Sequence, residues 1–238
     1  MNIVLFDEAE LEAEIKISDR RIHHIKKVLK IKEGETFDAG IINKSIGKAY
    51  YTYTKDSLVK LNYSEGSDSP PTPNPISLII GIIRPVNIQR TIRDLCTLGV
   101  RALHFVVSEK SEKSYANSKA YDFSRIRNYL VEGAEQAFNP YLPEVYIHNS
   151  LVDSLPMFND YQKIAFDNYE FTDSLGKVKI NKRDTVLALG PERGWSNKER
   201  QKLREHNFSM LSLGERVLRT ETACTVATSV LLSKFDII

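Results

Sequence analysis

A run of prolines constrains this chain more than any other feature. The segment from Ser64 to Pro75 reads S-E-G-S-D-S-P-P-T-P-N-P, with four prolines and no large apolar residue. Proline lacks a backbone N–H and fixes its own φ angle, so such a segment forms neither a helix nor an inner strand. Proline-rich segments act as semi-rigid spacers. We therefore expect two domains, residues 1–66 and 76–238, joined by a linker over residues 67–75.

The composition of the 238 residues is that of a globular protein. Hydrophobic residues make up 42% of the chain, which is enough for a packed core. The longest apolar run, from Ile76 to Ile83, is too short to span a bilayer, and Met1 to Glu10 carries acids where a signal peptide carries bases. Five histidines and two cysteines lack the spacing of metal ligands. We expect a cytoplasmic protein with no membrane and no metal partner.

The region before the linker combines short strands with one helix. Met1–Phe6 and Thr36–Leu61 have strand patterns, with turns at Glu33-Gly34 and around Asn43 to Gly47. Ser18 fits a helix N-cap. The apolar helix face that follows consists of Ile22, Ile25, Val28 and Leu29. These patterns predict a small β-barrel with one added helix.

The predicted helix lies in a strongly basic stretch. From Lys16 to Lys32 there are seven Lys or Arg residues and one acid, Asp19. Such a patch favours a polyanionic partner such as RNA, although a solvated helix surface explains it equally well. If RNA is the partner, the candidate contacts are Arg20, Arg21, His24, Lys26 and Lys27.

After the linker, apolar strands alternate with helices. Strands are predicted at Ile76–Ile83, Ala102–Val107, Val145–His148, Lys163–Asp167, Thr185–Leu189 and Phe208–Leu213. Helices are predicted at Val86–Leu98, Tyr121–Phe138, Ser196–His206 and Arg219–Phe235, the third opened by the capping box Ser196-x-x-Glu199. This alternation predicts a mainly parallel sheet covered by helices on both faces.

Three of the predicted strands are followed by unusual polar or glycine-rich segments. They are Asp167–Glu170, Gly190–Ser196 and Gly214–Ala223. Ligands of open α/β sheets bind at the carboxyl ends of strands, and glycines let backbone N–H groups approach a ligand closely. Neither a Walker loop nor a dinucleotide fingerprint is present. Each segment taken alone also fits an ordinary turn.

Arg219 opens the last helix, where the helix dipole normally favours an acid. Two explanations stay open. Arg219 pairs with Glu221 or Glu192 as a structural ion pair, or it faces an anionic ligand. In the first case Arg219 has a structural role, and in the second it binds a ligand.

Several motifs together resemble a known family. The segment G-P-E-R-G-W-S at Gly190–Ser196, followed by L-G-E-R-V-L-R-T-E-T-A at Leu213–Ala223, resembles the motif pair of the RsmE-type 16S rRNA uridine-N3 methyltransferases of the SPOUT superfamily. His23-His24 with Val28-Leu29-Lys30 is similar to their N-terminal H-H-x-x-x-V-L-R pattern. Glu135-Gln136 with Pro143 is similar to a further A-E-Q…P motif.

The resemblance implies an α/β fold with a small N-terminal PUA-like β-barrel and a C-terminal SPOUT α/β domain containing a deep trefoil knot. It implies a homodimer that acts on 16S rRNA of the small ribosomal subunit. It also implies S-adenosyl-L-methionine as the cofactor, bound by Asn168, Leu189, Gly190, Glu192, Gly194, Leu213, Gly214, Val217 and Leu218.

The reaction implied by the resemblance is methylation of N3 of a uracil ring. N3 carries a proton in neutral uracil, so the site must stabilise the anion that forms when this proton is lost. We expect Arg219 to stabilise the N3 anion, with Glu221 orienting it. The sequence departs from the commoner pattern at Thr97, at Asn139 and at Arg193, which stands where G-P-E-G-G has glycine. We add Arg193 to the RNA contacts. Two alternatives stay open: a SPOUT-type ribose 2′-O-methyltransferase, and a non-catalytic RNA-binding protein of ribosome assembly.

Overall fold

The computed structural model describes residues 3–55 and 57–238. These form two compact units, one of residues up to Thr72 together with Val131–Leu142, the other of Pro73–Leu130 and Pro143–Ile238. The division falls inside the proline-rich segment. The first two residues of the strand predicted from Met1 lie outside the described residues.

The N-terminal unit is a curled sheet around one core. Its elements are β1 (Val4–Phe6), β2 (Glu14–Lys16), α1 (Arg20–His23), β3 (Phe37–Ile41), β4 (Ser45–Lys55) and β5 (Leu58–Glu65). The strand order is β1-β3-β4-β5-β2, with β1 parallel to β3 and the other pairs antiparallel. Side chains including Phe6, Ile22, Ile25 and Val59 fill the core. The fold predicted for this unit is confirmed, although β2 was not predicted.

The basic helix differs from its prediction at both ends. Asp19, not Ser18, is the N-cap, because its side chain accepts the backbone N–H of Arg21 at 2.8 Å. After α1 the chain continues as a π-helix over His24–Val28. Its wider turn rotates later residues away from the α-helical face, and Val28 is 61% exposed. The predictions for Ser18 and Val28 were therefore wrong.

The C-terminal unit is a parallel sheet with helices packed on it; of the elements below, only residues 131–142 belong to the N-terminal unit. The elements that follow β5 are β6 (Ile76–Gly81), α2 (Pro85–Thr97), β7 (Ala102–Val106), α3 (Lys113–Ala116), α4 (Phe123–Ala137), β8 (Glu144–His148), α5 (Leu151–Ser154), β9 (Gln162–Phe166), β10 (Asp173–Ser174), β11 (Thr185–Leu189), α6 (Asn197–Glu205), β12 (Ser209–Ser212) and α7 (Thr220–Lys234). The strand order is β10-β12-β9-β11-β6-β7-β8, and all pairs are parallel. The predicted parallel sheet is confirmed.

Burial on both faces explains why the central strands are so apolar. Every residue of β6, β7 and β11 is buried, as expected for parallel strands covered by helices. The strand order places β9 between β12 and β11, so the carboxyl ends of these three strands lie side by side. The trefoil knot stays a prediction. Within residues 3–55 and 57–238, no helix has the length and apolar character needed to cross a membrane.

Candidate active site

The loops that follow β9, β11 and β12 enclose a cavity of about 330 Å³. This volume lies within the range of small-molecule sites. The first residues of α7 complete the lining. The cavity occupies the carboxyl edge of the sheet, where open α/β sheets bind their ligands. The three segments singled out in the sequence therefore form one site.

Close backbone contacts shape the loop after β11. A Cβ atom added to Gly81 would lie 2.5 Å from Pro191, and one added to Gly190 would lie 3.1 Å from the backbone of Gly194. Gly194 itself has φ +66°, a conformation that favours glycine. The Thr220 hydroxyl donates to the carbonyl of Gly190 at 3.0 Å, which ties this loop to the start of α7.

The predicted capping box of α6 is present, and its glutamate also accepts hydrogen bonds from a distant loop. The Ser196 hydroxyl accepts the N–H of Glu199 at 3.1 Å, and the Glu199 carboxylate accepts the N–H of Ser196 at 2.8 Å. The same buried carboxylate also accepts the hydroxyl of Ser108 at 2.9 Å and the N–H of Glu109 at 3.0 Å. It therefore joins the loop after β11 to the loop after β7.

Eight of the nine predicted cofactor residues line the cavity, and Gly214 is the exception. The eight are Asn168, Leu189, Gly190, Glu192, Gly194, Leu213, Val217 and Leu218. The lining also includes residues that we did not predict: Phe166, Asp167, Tyr169, Pro191, Arg216, Thr220 and Ala223. Six of these lie inside the three segments and Phe166 directly precedes the first, so taking each segment whole would have found all but one of them.

Three arginines, Arg193, Arg216 and Arg219, give the cavity its charge. All three are exposed, and none forms an ion pair with another residue that the structure describes. Cations at the mouth of a cavity attract anionic ligands. Arg193 was predicted as an RNA contact and Arg219 as a catalytic residue, whereas Arg216 was not predicted.

The two acids offered as partners of Arg219 are engaged elsewhere. Glu221 accepts the side-chain amide of Asn87 at 3.1 Å, and Glu192 accepts the N–H of Arg84 at 3.1 Å. Glu221 is not among the lining residues. Neither acid forms an ion pair with Arg219 among the described residues, and the roles predicted for Arg219 and Glu221 stay predictions.

The basic residues of the N-terminal unit line a second cavity, of about 230 Å³, whose walls include Arg20, His23, His24 and Glu135. Arg20 lies 3.5 Å from the carboxylate of Glu135 and is half exposed. Burial raises the pKa of Glu135, and the charge of Arg20 opposes that effect. The cavity thus presents one accessible guanidinium beside two histidines.

Arg21 also lines this second cavity, but its guanidinium is already occupied. It donates to both carboxylate oxygens of Glu10 and to both of Asp19. The hydrogen bonds from Arg21 lower the pKa values of both acids. This arrangement is typical of a structural ion pair, and it leaves few donors for a phosphate.

The two predicted lysine contacts differ in their surroundings. Lys26 donates to the hydroxyl of Tyr53 at 2.6 Å and is half-buried, whereas Lys27 is exposed. The structure thus places Lys27 fully at the surface, and Lys26 beside an aromatic ring.

Comparison with known proteins assigns the chain to a family. The model of the RNA methyltransferase domain matches residues 70–232, and that of the RNA methyltransferase PUA domain matches residues 17–61. Ribosomal RNA small subunit methyltransferase E of Treponema pallidum is 32% identical to this chain, over 98% of this chain and 91% of the relative. The chain belongs to the RNA methyltransferase E family. A second member, methyltransferase E 1 of Borreliella burgdorferi, is 32% identical and covers 98% of both chains.

A solved member of this family shares the fold. The structure of ribosomal RNA small subunit methyltransferase E from Neisseria gonorrhoeae, bound to S-adenosyl methionine, has a TM-score of 0.81 and 22% identity to this chain. It covers 98% of this chain and 97% of its own. The predicted fold, a PUA-like domain followed by an α/β methyltransferase domain, is therefore confirmed.

Proposed function

We propose that this protein transfers a methyl group from S-adenosyl-L-methionine to N3 of a uridine in 16S rRNA of the small ribosomal subunit. The observation that carries the proposal is the cavity formed by the two family motifs, with apolar walls and three exposed arginines. The family membership supports the methyl-transfer reaction. The motif pair, which resembles the uridine-N3 group, supports the choice of N3.

The residues around the cavity fit the methyl donor. Leu189, Leu213 and Leu218 supply apolar walls for an adenine ring. At Gly194 no atom lies within 4 Å of the position that a Cβ would take, so this part of the loop is open to a ligand. When bound, the donor supplies a methyl group on a positively charged sulfur. The chain's own task is to bind and orient it.

The acceptor needs help because N3 of neutral uracil carries a proton and is a poor nucleophile. Loss of that proton to water places negative charge on N3 and the two flanking carbonyl oxygens. Arg219 and Arg193 are exposed at the cavity and lack an anionic partner among the described residues. In our proposal they stabilise this charge. With the donor bound, the N3 lone pair would attack the methyl carbon in line with the S–C bond, so that an N–C bond forms as the S–C bond breaks and the neutral thioether leaves.

The N-terminal unit holds the RNA in this proposal. Arg20, His24, Lys26 and Lys27 contact the phosphate backbone, which fixes the RNA without reading its sequence. We assign Arg21 to the structural ion pair with Glu10 and Asp19 instead. The resemblance further supports a homodimer, and sedimentation equilibrium of the purified chain measures the oligomeric state. We also infer that the protein works in the cytoplasm.

The decisive experiment is transfer of labelled methyl groups to small-subunit particles and to naked 16S rRNA. Nucleoside mass spectrometry then identifies the product. We expect 3-methyluridine at one position. A 2′-O-methylated nucleoside would instead indicate the ribose methyltransferase, and RNA binding without transfer to either substrate would indicate the non-catalytic assembly protein.

A further inference from the structure

A buried ion pair joins one lining residue of the cavity, Asp167, to Arg200, which lies behind the lining. The Nε atom of Arg200, on α6, is 2.8 Å from Oδ2 of Asp167, which follows β9. Their side chains are only 6% and 2% exposed. Burying two charges costs several kcal/mol per ion, and an apolar pair of equal volume often stabilises a fold as well or better. The pair therefore calls for an explanation beyond stability.

Asp167 shapes the loop that follows it. Its other carboxylate oxygen, Oδ1, accepts the backbone N–H groups of Tyr169 at 2.8 Å and Glu170 at 3.0 Å. The N–H of Asp167 itself donates to the carbonyl of Leu211 on β12 at 3.1 Å. The carboxylate thus closes a tight turn in which Asn168 and Tyr169 face the cavity as lining residues.

Arg200 contacts this turn at more than one point. Its guanidinium carbon lies 5.7 Å from the ring centroid of Tyr169, and one of its nitrogens lies 3.8 Å from the carboxylate of Glu170. The same nitrogen donates to the side chain of Asn197 at 3.0 Å, which fixes the guanidinium on α6. Arg200 is not among the lining residues itself. Any effect on a ligand must therefore pass through the turn.

The position of Arg200 on α6 connects two walls of the cavity. It lies one helical turn after Ser196, the cap residue that ends the Gly190–Ser196 loop. That loop forms one wall, and the turn after Asp167 forms another. The ion pair fixes the second wall to the helix that begins at the end of the first.

We propose that Arg200 is a positioning residue for the methyl donor: through Asp167 it holds the turn at residues 167–170 in the shape that completes the cavity. This inference rests on the proposed function, because it takes the cavity to be the donor site. Without the pair, the turn populates other shapes. The apparent dissociation constant then rises in inverse proportion to the fraction of molecules that keep the binding shape.

The test measures the Kd of S-adenosyl-L-methionine for the full-length chain by calorimetry, together with KM and kcat. We expect Arg200→Met to raise the Kd and the KM for the donor by about tenfold or more, with a smaller change in kcat. Arg200→Lys keeps a positive charge near Asp167 and should recover part of the affinity. Asp167→Asn should raise the Kd for the donor by a similar factor. The double variant Arg200→Met, Asp167→Asn should have a Kd no higher than that of the weaker-binding single variant, because both changes break the same ion pair.

A matched control lies on the same helix. Arg204 also binds Glu170, but on the exposed side of the turn. Arg204→Met should leave the Kd for the donor within twofold of the wild type. If Arg200→Met fails to fold, Arg200→Lys and Asp167→Asn supply the same comparison with smaller structural changes.

Two results separate the possible failures. If Arg200→Met and Asp167→Asn lower the melting temperature but leave the donor Kd within twofold, the pair is only structural and the inference is overturned. Ala223→Phe tests the site itself, because Ala223 lines the cavity. If the wild type and Ala223→Phe bind the donor equally well, the donor lies elsewhere and the proposed site fails as well.

Discussion

The buried histidine of β7 predicts that mild acid destabilises the C-terminal unit. His104 is 2% exposed, and its Nδ1 lies 3.1 Å from Nε2 of His148 on β8. Its ring stacks on Tyr146 and meets Phe158 edge-on. Burial, with a smaller contribution from the charge of His148, lowers the pKa of His104 from 6.5 to about 4.

The sign and size of the effect follow from the two pKa values. In the unfolded chain His104 takes up a proton near pH 6.5, whereas in the folded chain it does so only near pH 4. Between these values the unfolded state binds more protons, so stability falls as the pH falls and levels off below about 4. One pKa unit corresponds to about 1.4 kcal/mol, so the loss approaches roughly 3 kcal/mol. The pKa of His148 is lowered as well, chiefly by burial, which acts in the same direction.

The assay is urea unfolding at a series of pH values between 7.5 and 4, followed by tryptophan fluorescence. Trp195 is the only tryptophan of the chain, is fully buried and belongs to the same unit, so it reports the right transition. We expect the free energy of unfolding of the wild type to fall by roughly 3 kcal/mol more than that of His104→Leu over this range.

A control variant separates His104 from the other histidines. His206 lies half-buried at the end of α6 in the same unit, away from His104, and His206→Leu should keep the pH dependence of the wild type. If His104→Leu and the wild type lost stability in parallel, the buried imidazole would not be the group that titrates, and the reasoning would be refuted.

Three further predictions concern the site and the RNA-binding surface. Arg219→Ala should lower kcat for methyl transfer by about 100-fold or more in a folded protein, and full activity would remove it from the mechanism. The double variant Lys26→Glu, Lys27→Glu should weaken rRNA binding and reduce its salt dependence, measured by filter binding. If this variant also lost binding of the methyl donor, the assignment of Lys26 and Lys27 to the RNA-binding surface would be wrong. Gly81→Ala places a Cβ 2.5 Å from Pro191 and should cost about 1–3 kcal/mol, so an unchanged melting temperature would contradict the close approach.

The sheet and the three segments that line the cavity were predicted from local patterns in the sequence. Apolar strands such as Thr185–Leu189 are buried on both faces, which makes them visible as short apolar runs between helices. The rule that ligands bind at carboxyl ends then pointed to the three loops that line the cavity. The order β12-β9-β11, which makes those loops neighbours, is set by packing between distant segments and leaves no local signal.

The failures have a common physical origin. Val28 fits an α-helical face by spacing, but one π-helical turn rotates it into solvent. Glu221 is only two residues from Arg219, yet its carboxylate accepts a hydrogen bond from Asn87, 134 positions away, and its role beside Arg219 stays a prediction. Neighbours in sequence predict contacts only where the backbone geometry between them is regular.

The same limit explains why Glu199 was identified and Arg200 was not. The capping box needs only the four residues from Ser196 to Glu199, so the sequence predicts it. The two further donors to Glu199, from Ser108 and Glu109, come from about 90 positions away. Arg200 has no comparable local motif, because its partner Asp167 lies 33 positions earlier, in the turn that follows β9. Adjacent residues of α6 thus contact two different loops at the edge of the sheet: Glu199 binds the loop after β7, and Arg200 binds the turn after β9. The contact of Arg200 with a loop that lines the cavity is visible only in the three-dimensional structure.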